Sequence, residues 1–267
     1  MARFLQQIVT SKCIFFIIII VASCSPPEDP IKCSTSTNRN CTITNSYGAF
    51  PDRSTCHAAQ VTYPQSEKDL ISIVAIATKA KRKMKVVTRY SHSIPKLVCP
   101  DGNNGLLIST QNLNHVIEIN RSNMTITVES GVTLRQLIEE AAKGGLALPY
   151  TPYWWGLTIG GLLSTGAHGS TLWGKGSAIH DYLVQIRMVT PGQLEEGYAV
   201  VRTLDEGGPE MDAASVSLGV LGVISQVVYR IDDRVSTDVR GNGLLDHPGF
   251  RPQASPALLA LRLSGKE

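Results

Sequence analysis

Residues 151–182 constrain this chain more than any other stretch. They read TPYWWGLTIGGLLSTGAHGSTLWGKGSAIHDY, with Gly156, Gly160, Gly161, Gly166, Gly169, Gly174 and Gly176 set among Trp154, Trp155, Trp173, His168, His180 and small hydroxyl residues. A glycine in a helix or strand interior costs about 0.5–1 kcal/mol relative to alanine. So dense a cluster is a poor recipe for a packed helix, and it makes sense where the backbone takes positive φ or lies against something flat. Backbone N–H groups in such loops converge on phosphate or carbonyl oxygens, and the missing side chain lets the main chain approach ring atoms. The guest that fits is a planar, phosphate-bearing cofactor. The competing reading is an idle glycine-rich surface loop. Leu157, Ile159, Leu162 and Leu163 sit among the glycines and argue against it, because an exposed loop has no use for them.

The 267 residues allow one large domain or two small ones, and 43% apolar with 18% charged residues is ordinary for a globular chain. A net charge of +3 implies neither a nucleic-acid footprint nor a polybasic membrane anchor, since both need clustered basic residues. The one short basic run, residues 79–85, reads as the solvated end of a helix. At the start of the chain, Arg3 and Lys12 precede an apolar core over residues 14–21, and Ala22 and Ser23 follow it. This is the grammar of a secretory signal over residues 1–24, with the mature chain beginning near Cys24. The apolar run falls short of the ~20 residues of a spanning helix. Cleavage is therefore expected in preference to a membrane anchor, leaving no stable membrane span. Export places Cys33, Cys41, Cys56 and Cys99 in an oxidising compartment, where an even number implies two disulfides. Three pairings are open, of which Cys33–Cys41 with Cys56–Cys99 keeps neighbours together. No His or Cys pair shows zinc-type spacing, so no metal site is expected. Asn40, Asn120 and Asn123 head N-x-S/T sequons and become candidate glycosylation sites on an exported chain.

Residues 25–56 are rich in Pro, Ser, Thr and Asn without periodicity, and read as an irregular, disulfide-tied lead-in. Residues 66–81 place Leu70, Ile73, Val74 and Ala77 at helical spacing, with Ser66 as N-cap and Glu67 and Asp69 in the first turn. Residues 84–88 read as a buried strand, and Arg89-Tyr-Ser-His-Ser-Ile-Pro is a polar turn leaving its carboxyl end, where ligands gather in α/β sheets. Three strands follow over residues 106–109, 116–120 and 125–129, the last two joined by the turn that holds Asn120 and Asn123. Ser130-Gly131 ends the third, and Thr133 caps a helix over residues 134–143 that buries Leu134, Leu137, Ile138 and Ala141 and stops at Gly144-Gly145. Beyond the glycine-rich stretch, a strand over 183–190 pairs with 198–203 as a hairpin. Residues 213–221 and 223–231 read as strand-turn-strand, or as a close backbone approach to a ligand through Gly219 and Gly222.

These residues carry a resemblance. The blocks VVTRYSHSIPKLVCPDG, ITVESGVTLRQLIEEA, PYWWGLTIGGLLSTGAHGSTLWGKGSAIHDY and VSLGVLGVISQV occur in order within residues 33–232. Together they resemble the oxygen-dependent FAD-linked oxidoreductases of the vanillyl-alcohol oxidase type, and most closely the plant L-gulono-1,4-lactone oxidase-like proteins. The resemblance implies an α/β (α+β) fold: a PCMH-type FAD-binding domain of two α/β subdomains over residues 57–234, clasping an extended FAD. In the family a substrate domain follows and covers the isoalloxazine.

By similarity, Arg89, Tyr90, Ser91, His92 and Ser93 sit by the pyrophosphate. His92 falls at the position that many relatives bond covalently to the flavin 8α-methyl. Those relatives carry glycines ahead of that histidine, whereas Thr88, Arg89, Tyr90 and Ser91 stand here, so the loop cannot take the same φ throughout. The alternative for His92 is a turn residue bonded to the backbone. Thr158, Gly160, Gly161, Thr165, Gly166, His168 and Gly169 match the second flavin-contacting block, with His168 a positioning residue that supports the loop. Gly222, Val223 and Ile224 match a third. Pro152 aligns with a position where family oxidases carry Gly or Pro and where Ala blocks oxygen from the flavin.

The implied chemistry is hydride transfer from a sugar-lactone carbon to the flavin, with O2 as the final acceptor and H2O2 as product, as in ascorbate synthesis. The implied partners are a small sugar lactone and O2, with no nucleic acid. Catalytic acid-base residues come from the family's substrate domain, so none is assigned here. Residues 235–267 stand where that domain would continue, and their Gly-Asn-Gly, His-Pro-Gly and Arg-Pro pieces read as an atypical tail. A chain of this kind is expected to turn over poorly. The alternatives are a non-catalytic FAD-binding module and a sugar or oligosaccharide oxidase of the same superfamily. The expected location is the secretory pathway or the cell exterior, or a membrane surface if the signal is retained.

Overall fold

The computed structural model describes residues 29–34, 36–44, 55–88, 95–100, 104–149, 151–152, 155–169 and 176–232. The expected secretory signal, the turn from Arg89 to Ser93 and the tail over residues 235–267 lie outside the described residues.

The first sheet is built from β1 (Ile31–Cys33), β2 (Arg39–Ile43), β3 (Cys56–Thr62), β4 (Met84–Val87) and β5 (Leu106–Ser109), in the spatial order β1-β2-β3-β5-β4. Its first three strands are antiparallel, while β3, β5 and β4 run parallel. Parallel neighbours need a crossover, and helix α1 (Glu67–Lys79) supplies the one between β3 and β4. Ser66 Oγ accepts the Asp69 N–H at 3.1 Å, and Glu67 and Asp69 sit at the positive end of the helix dipole. Leu70, Val74 and Ala77, spaced by four and three, are buried on one face. Full burial of a leucine or valine contributes about 1.5–3 kcal/mol. A short turn of helix, α2 (Pro95–Val98), follows.

The lead-in is not irregular, since β1 and β2 belong to this sheet. Alternation is present in β2, where Cys41 and Ile43 are buried and their neighbours are not, but it is too short to stand out from the surrounding polar residues. The disulfides are Cys33–Cys41, across the β1–β2 pair, and Cys56–Cys99, which ties the start of β3 to the residue after α2.

The second sheet holds β6 (Val116–Asn120), β7 (Thr125–Glu129), β8 (Leu183–Pro191), β9 (Ala199–Asp205) and β10 (Val223–Arg230). It is antiparallel throughout, in the order β6-β7-β10-β8-β9, so its last strand lies at its centre. Helix α3 (Leu134–Lys143) is capped by Thr133, whose Oγ1 accepts the Gln136 N–H at 3.2 Å, and buries Leu134, Leu137 and Ala141 against the sheet. A separate cluster joins the two sheets: Leu70, Val74 and Ala77 of α1 and Leu106 and Ile108 of β5 pack with Val189 of β8 and Val223 of β10.

Two other elements depart from the sequence reading. Residues 213–221 do not form a strand; they close a helix, α5 (Pro209–Ser215), and then turn. Pro209 opens that helix, Met211, Ala214 and Ser215 are buried at helical spacing, and Leu218 (φ 52°) and Gly219 (φ 67°) break the run that follows. The glycine-rich stretch, for its part, does contain a helix, α4 (Ile159–Ser164), whose Ile159, Leu162 and Leu163 are fully buried. Burial of those three side chains offsets the propensity cost of two glycines.

Candidate functional site

Between the sheets runs a cleft that is open to solvent. Its first wall is the end of β4 (Val86, Val87, Thr88), Leu97 and Val98 of α2, and Thr110 just after β5. Its second wall is Ser130 after β7, the α4 region (Gly160, Gly161, Ser164, Thr165), and the approach to β10 (Leu218, Gly219, Gly222, Ile224). Strand carboxyl ends and the loops leaving them thus make the first wall, and tight turns make the second.

The glycines of α4 are required by what they touch. A Cβ on Gly160 would lie 3.0 Å from Ser130 Cβ and 3.2 Å from its carbonyl oxygen, and one on Gly161 would lie 3.0 Å from Thr88 Cγ2. The Gly160 N–H donates to the Ser130 carbonyl at 2.8 Å. Gly131, next in the chain, is tighter still, because a Cβ there would run into the carbonyl oxygens of Thr110 and Leu113. At the far end, Gly219 takes a left-handed φ of 67° and a Cβ on it would come within 2.5 Å of Val86 Cγ1. A second pocket, lined by Met84, Lys85, Val189 and Val223 among others, shares Val86, Gly219 and Gly222 with the cleft.

Two hydroxyls sit beneath this surface without partners. Ser130 is 1% exposed and Thr158 is 2% exposed, and neither side-chain oxygen has a hydrogen-bond partner among the described residues. Such a group costs about 1–3 kcal/mol when buried unsatisfied, and here both flank the glycines. A cleft floored by glycine, with idle hydroxyls just beneath it and Val87, Leu97 and Val98 on the other side, suits a flat heteroaromatic group.

Of the residues singled out from sequence, Gly160, Gly161, Thr165, Gly222 and Ile224 line the cleft. Thr158 is buried against Gly161, and Val223 lines the adjacent pocket while packing into the inter-sheet core. Pro152, Gly166, His168 and Gly169 are described but are not among the residues that line the cleft. His168 is exposed, its Nδ1 lies 3.4 Å from the Gly169 carbonyl oxygen, and its backbone bridges to Ala178. Arg89, Tyr90, Ser91, His92 and Ser93 lie outside the described residues. Sequence reading did not single out Ser130, Thr110, Ser164, Leu97 or Val98. Ser130 had a signal in the Glu-Ser-Gly that ends β7, which read only as a turn.

Residues 58–193, just over half of the chain, match the FAD binding domain family. Probable L-gulonolactone oxidase 6 of Arabidopsis thaliana is 54% identical over 98% of this chain and 51% of its own length. Probable L-gulonolactone oxidase 4 of the same plant is 63% identical over 82% of this chain and 38% of its own. The chain therefore spans about half the length, or less, of these curated relatives. Among solved structures, cholesterol oxidase from Brevibacterium sterolicum superposes with a TM-score of 0.58 at 16% identity, covering 78% of this chain and 40% of that one. At that identity the likeness shows the fold alone. With residues 58–193 matched to that family, the chain belongs to the FAD binding domain family, with FAD as its cofactor.

Proposed function

We propose that the chain forms the FAD-holding part of an oxidoreductase that oxidises an aldonolactone of the L-gulono-1,4-lactone type and passes the electrons to O2, giving H2O2. The 54% identity to an L-gulonolactone oxidase across 98% of this chain carries the reading, because the segments that build the second wall of the cleft lie inside it. When bound, FAD supplies a two-electron acceptor for the hydride of the oxidised carbon and hands those electrons to oxygen. The chain's own residues bind and orient it. Ser130 and Thr158 would hydrogen-bond its polar edges, Gly160 and Gly161 admit it to contact distance, and Leu97 and Val98 keep water from one face. The turn Arg89 to Ser93 would take the pyrophosphate, with His92 as the covalent attachment point, and His168 would steady the loop that follows α4.

The apolar rim of the cleft supports a narrower second reading. Leu218, Val220 and Leu221 are 48%, 64% and 47% exposed beside its mouth, which suits a flavin-holding module whose substrate side is closed by other protein. The two disulfides and the signal-like first residues support an exported protein. Among the described residues no helix is long and apolar enough to cross a membrane.

The test is an absorbance spectrum of the purified chain before and after acid precipitation, followed by peroxide assay with L-gulono-1,4-lactone. Flavin in the pellet supports the His92 linkage, and flavin in the supernatant replaces it with non-covalent binding. Peroxide formation supports the oxidase reading. Bound flavin with no peroxide leaves the flavin-holding module, and absence of flavin from both fractions refutes both readings.

A further inference from the structure

The cleft is not held only by the cluster of apolar residues between the sheets. Glu67, in the first turn of α1, reaches across to the second sheet and receives two parallel hydrogen bonds from Arg187 of β8, Nε to Oε2 at 2.7 Å and Nη2 to Oε1 at 2.9 Å. Its Oε2 also accepts the hydroxyl of Ser225 in β10 at 2.7 Å, with the Arg187 carbonyl oxygen 3.0 Å from the same hydroxyl. The carboxylate side chain is 18% exposed and the Arg187 side chain 39%, so this bidentate pair is partly screened from water. From Ser225 the bonding continues into the cleft wall. Its carbonyl accepts the Ser130 N–H at 3.0 Å, and the Ser130 carbonyl accepts the Gly160 N–H at 2.8 Å. Ser225 directly follows Ile224, which lines the cleft itself.

We infer that Glu67 is a positioning residue for the flavin cleft: it touches no part of the cleft surface, yet it anchors the hydrogen-bonded series Ser225, Ser130, Gly160 that sets the second wall against the first. The inference rests on the flavin reading of the cleft. The ion pair and the hydroxyl bond have separable duties. Arg187 fastens α1 to β8, which is a matter of stability, whereas the Ser225 hydroxyl transmits the position of the carboxylate to the wall.

The conservative variant distinguishes these duties. Glu67→Gln loses the ion pair but keeps an oxygen that accepts from Ser225, while Glu67→Ala loses both. Titration of each purified chain with FAD, followed by quenching of flavin fluorescence, is set beside its thermal unfolding without flavin. Both variants are expected to unfold earlier than the parent. Glu67→Ala is expected to bind FAD about 10-fold more weakly and Glu67→Gln no more than about 3-fold more weakly, and Ser225→Ala, which keeps the ion pair, is expected to match Glu67→Ala in affinity. If Glu67→Ala does not fold, Ser225→Ala alone decides, because parent-like FAD binding by that variant overturns the inference. It is equally overturned if FAD affinity tracks unfolding temperature across the variants instead of the hydroxyl bond. A parent chain that takes up no FAD removes the flavin reading itself, and this inference with it.

Discussion

The two walls of the cleft are made of different material. The first is aliphatic, with Val86, Val87, Leu97 and Val98 backed by a sheet whose β3 is tied by the Cys56–Cys99 disulfide. The second is mainly glycine and hydroxyl, with Ser130, Gly160, Gly161, Ser164 and Thr165 beside Leu218 and Ile224. An aliphatic wall excludes water and adapts to its guest through side-chain rotation, so it tolerates change. A wall made largely of backbone and short side chains has little to move, and its shape is fixed by how closely neighbouring segments approach. The second wall should therefore set affinity and the first only reinforce it.

The harshest way to break the comparison is Gly131→Ala, which drives a methyl into the Thr110 and Leu113 carbonyl oxygens under the second wall. The expected loss is about 3 kcal/mol, seen as a fall in Tm of roughly 6–12 °C with loss of FAD binding. A variant as stable as the parent would show that the backbone wall gives way freely.

Acid comes next. Burial by itself would raise the Glu67 carboxyl, but the hydrogen bonds from Arg187 and Ser225 and the guanidinium charge outweigh it and hold the group below the ordinary glutamate range. A lowered folded value means the pair stabilises the fold at neutral pH, and that this contribution disappears as pH falls through the lowered value. Between an exposed pair (about 0–1 kcal/mol) and a fully buried one broken on one side (about 3–5 kcal/mol), about 1–3 kcal/mol is expected. The Tm gap between the parent and Glu67→Gln should be open at pH 7, narrow as pH falls below the ordinary glutamate range, and close only once pH has passed below the lowered value; a gap that stays constant with pH would remove the ion pair from the account.

Ser130→Ala separates binding from folding. The hydroxyl has no partner among the described residues, so its removal should leave unfolding of the flavin-free chain unchanged or slightly later, while FAD affinity falls about 5–10-fold. Earlier unfolding with unchanged affinity would mean the hydroxyl serves the fold instead. The smallest effect belongs to the first wall. Leu97 is 41% exposed, so Leu97→Ala should shift stability by about 0.5 kcal/mol or less and FAD affinity by no more than about 3-fold. A larger loss of affinity there than for Ser130→Ala would reverse the ranking of the walls.

Much of the fold was legible because its signals are local. Ser66 and Thr133 cap their helices as their positions imply, and the β6–β7 and β8–β9 hairpins follow from alternation and turn residues. The misreadings share a cause. Residues 216–221 look like a strand because Val216, Leu218, Val220 and Leu221 are apolar, but their 44–64% exposure shows that hydrophobicity there does not mark core. Strands β1 and β2 were hidden because pairing, more than their own pattern, makes them strands. For the site, the glycines of α4 and the approach to β10 could be read from sequence, since glycine density is a local property. Ser130 could not, because its burial depends on Thr110, Gly160 and Ser225, all brought to it by the fold. The Glu67–Arg187 pair, 120 residues apart, leaves no trace in either neighbourhood.

The central position of β10 has a consequence for how the molecule is made. The hairpins β6–β7 and β8–β9 are each local and can form as soon as they are synthesised, but they share no edge until β10 enters between them. Until residue 230 has emerged, both present open strand edges, which are the features most prone to pairing with another chain. A pause in synthesis before β10 would therefore prolong a stage in which both hairpins are formed and the second sheet is not closed. The flavin cleft, whose second wall ends at the start of that strand, cannot be complete before β10 is in place.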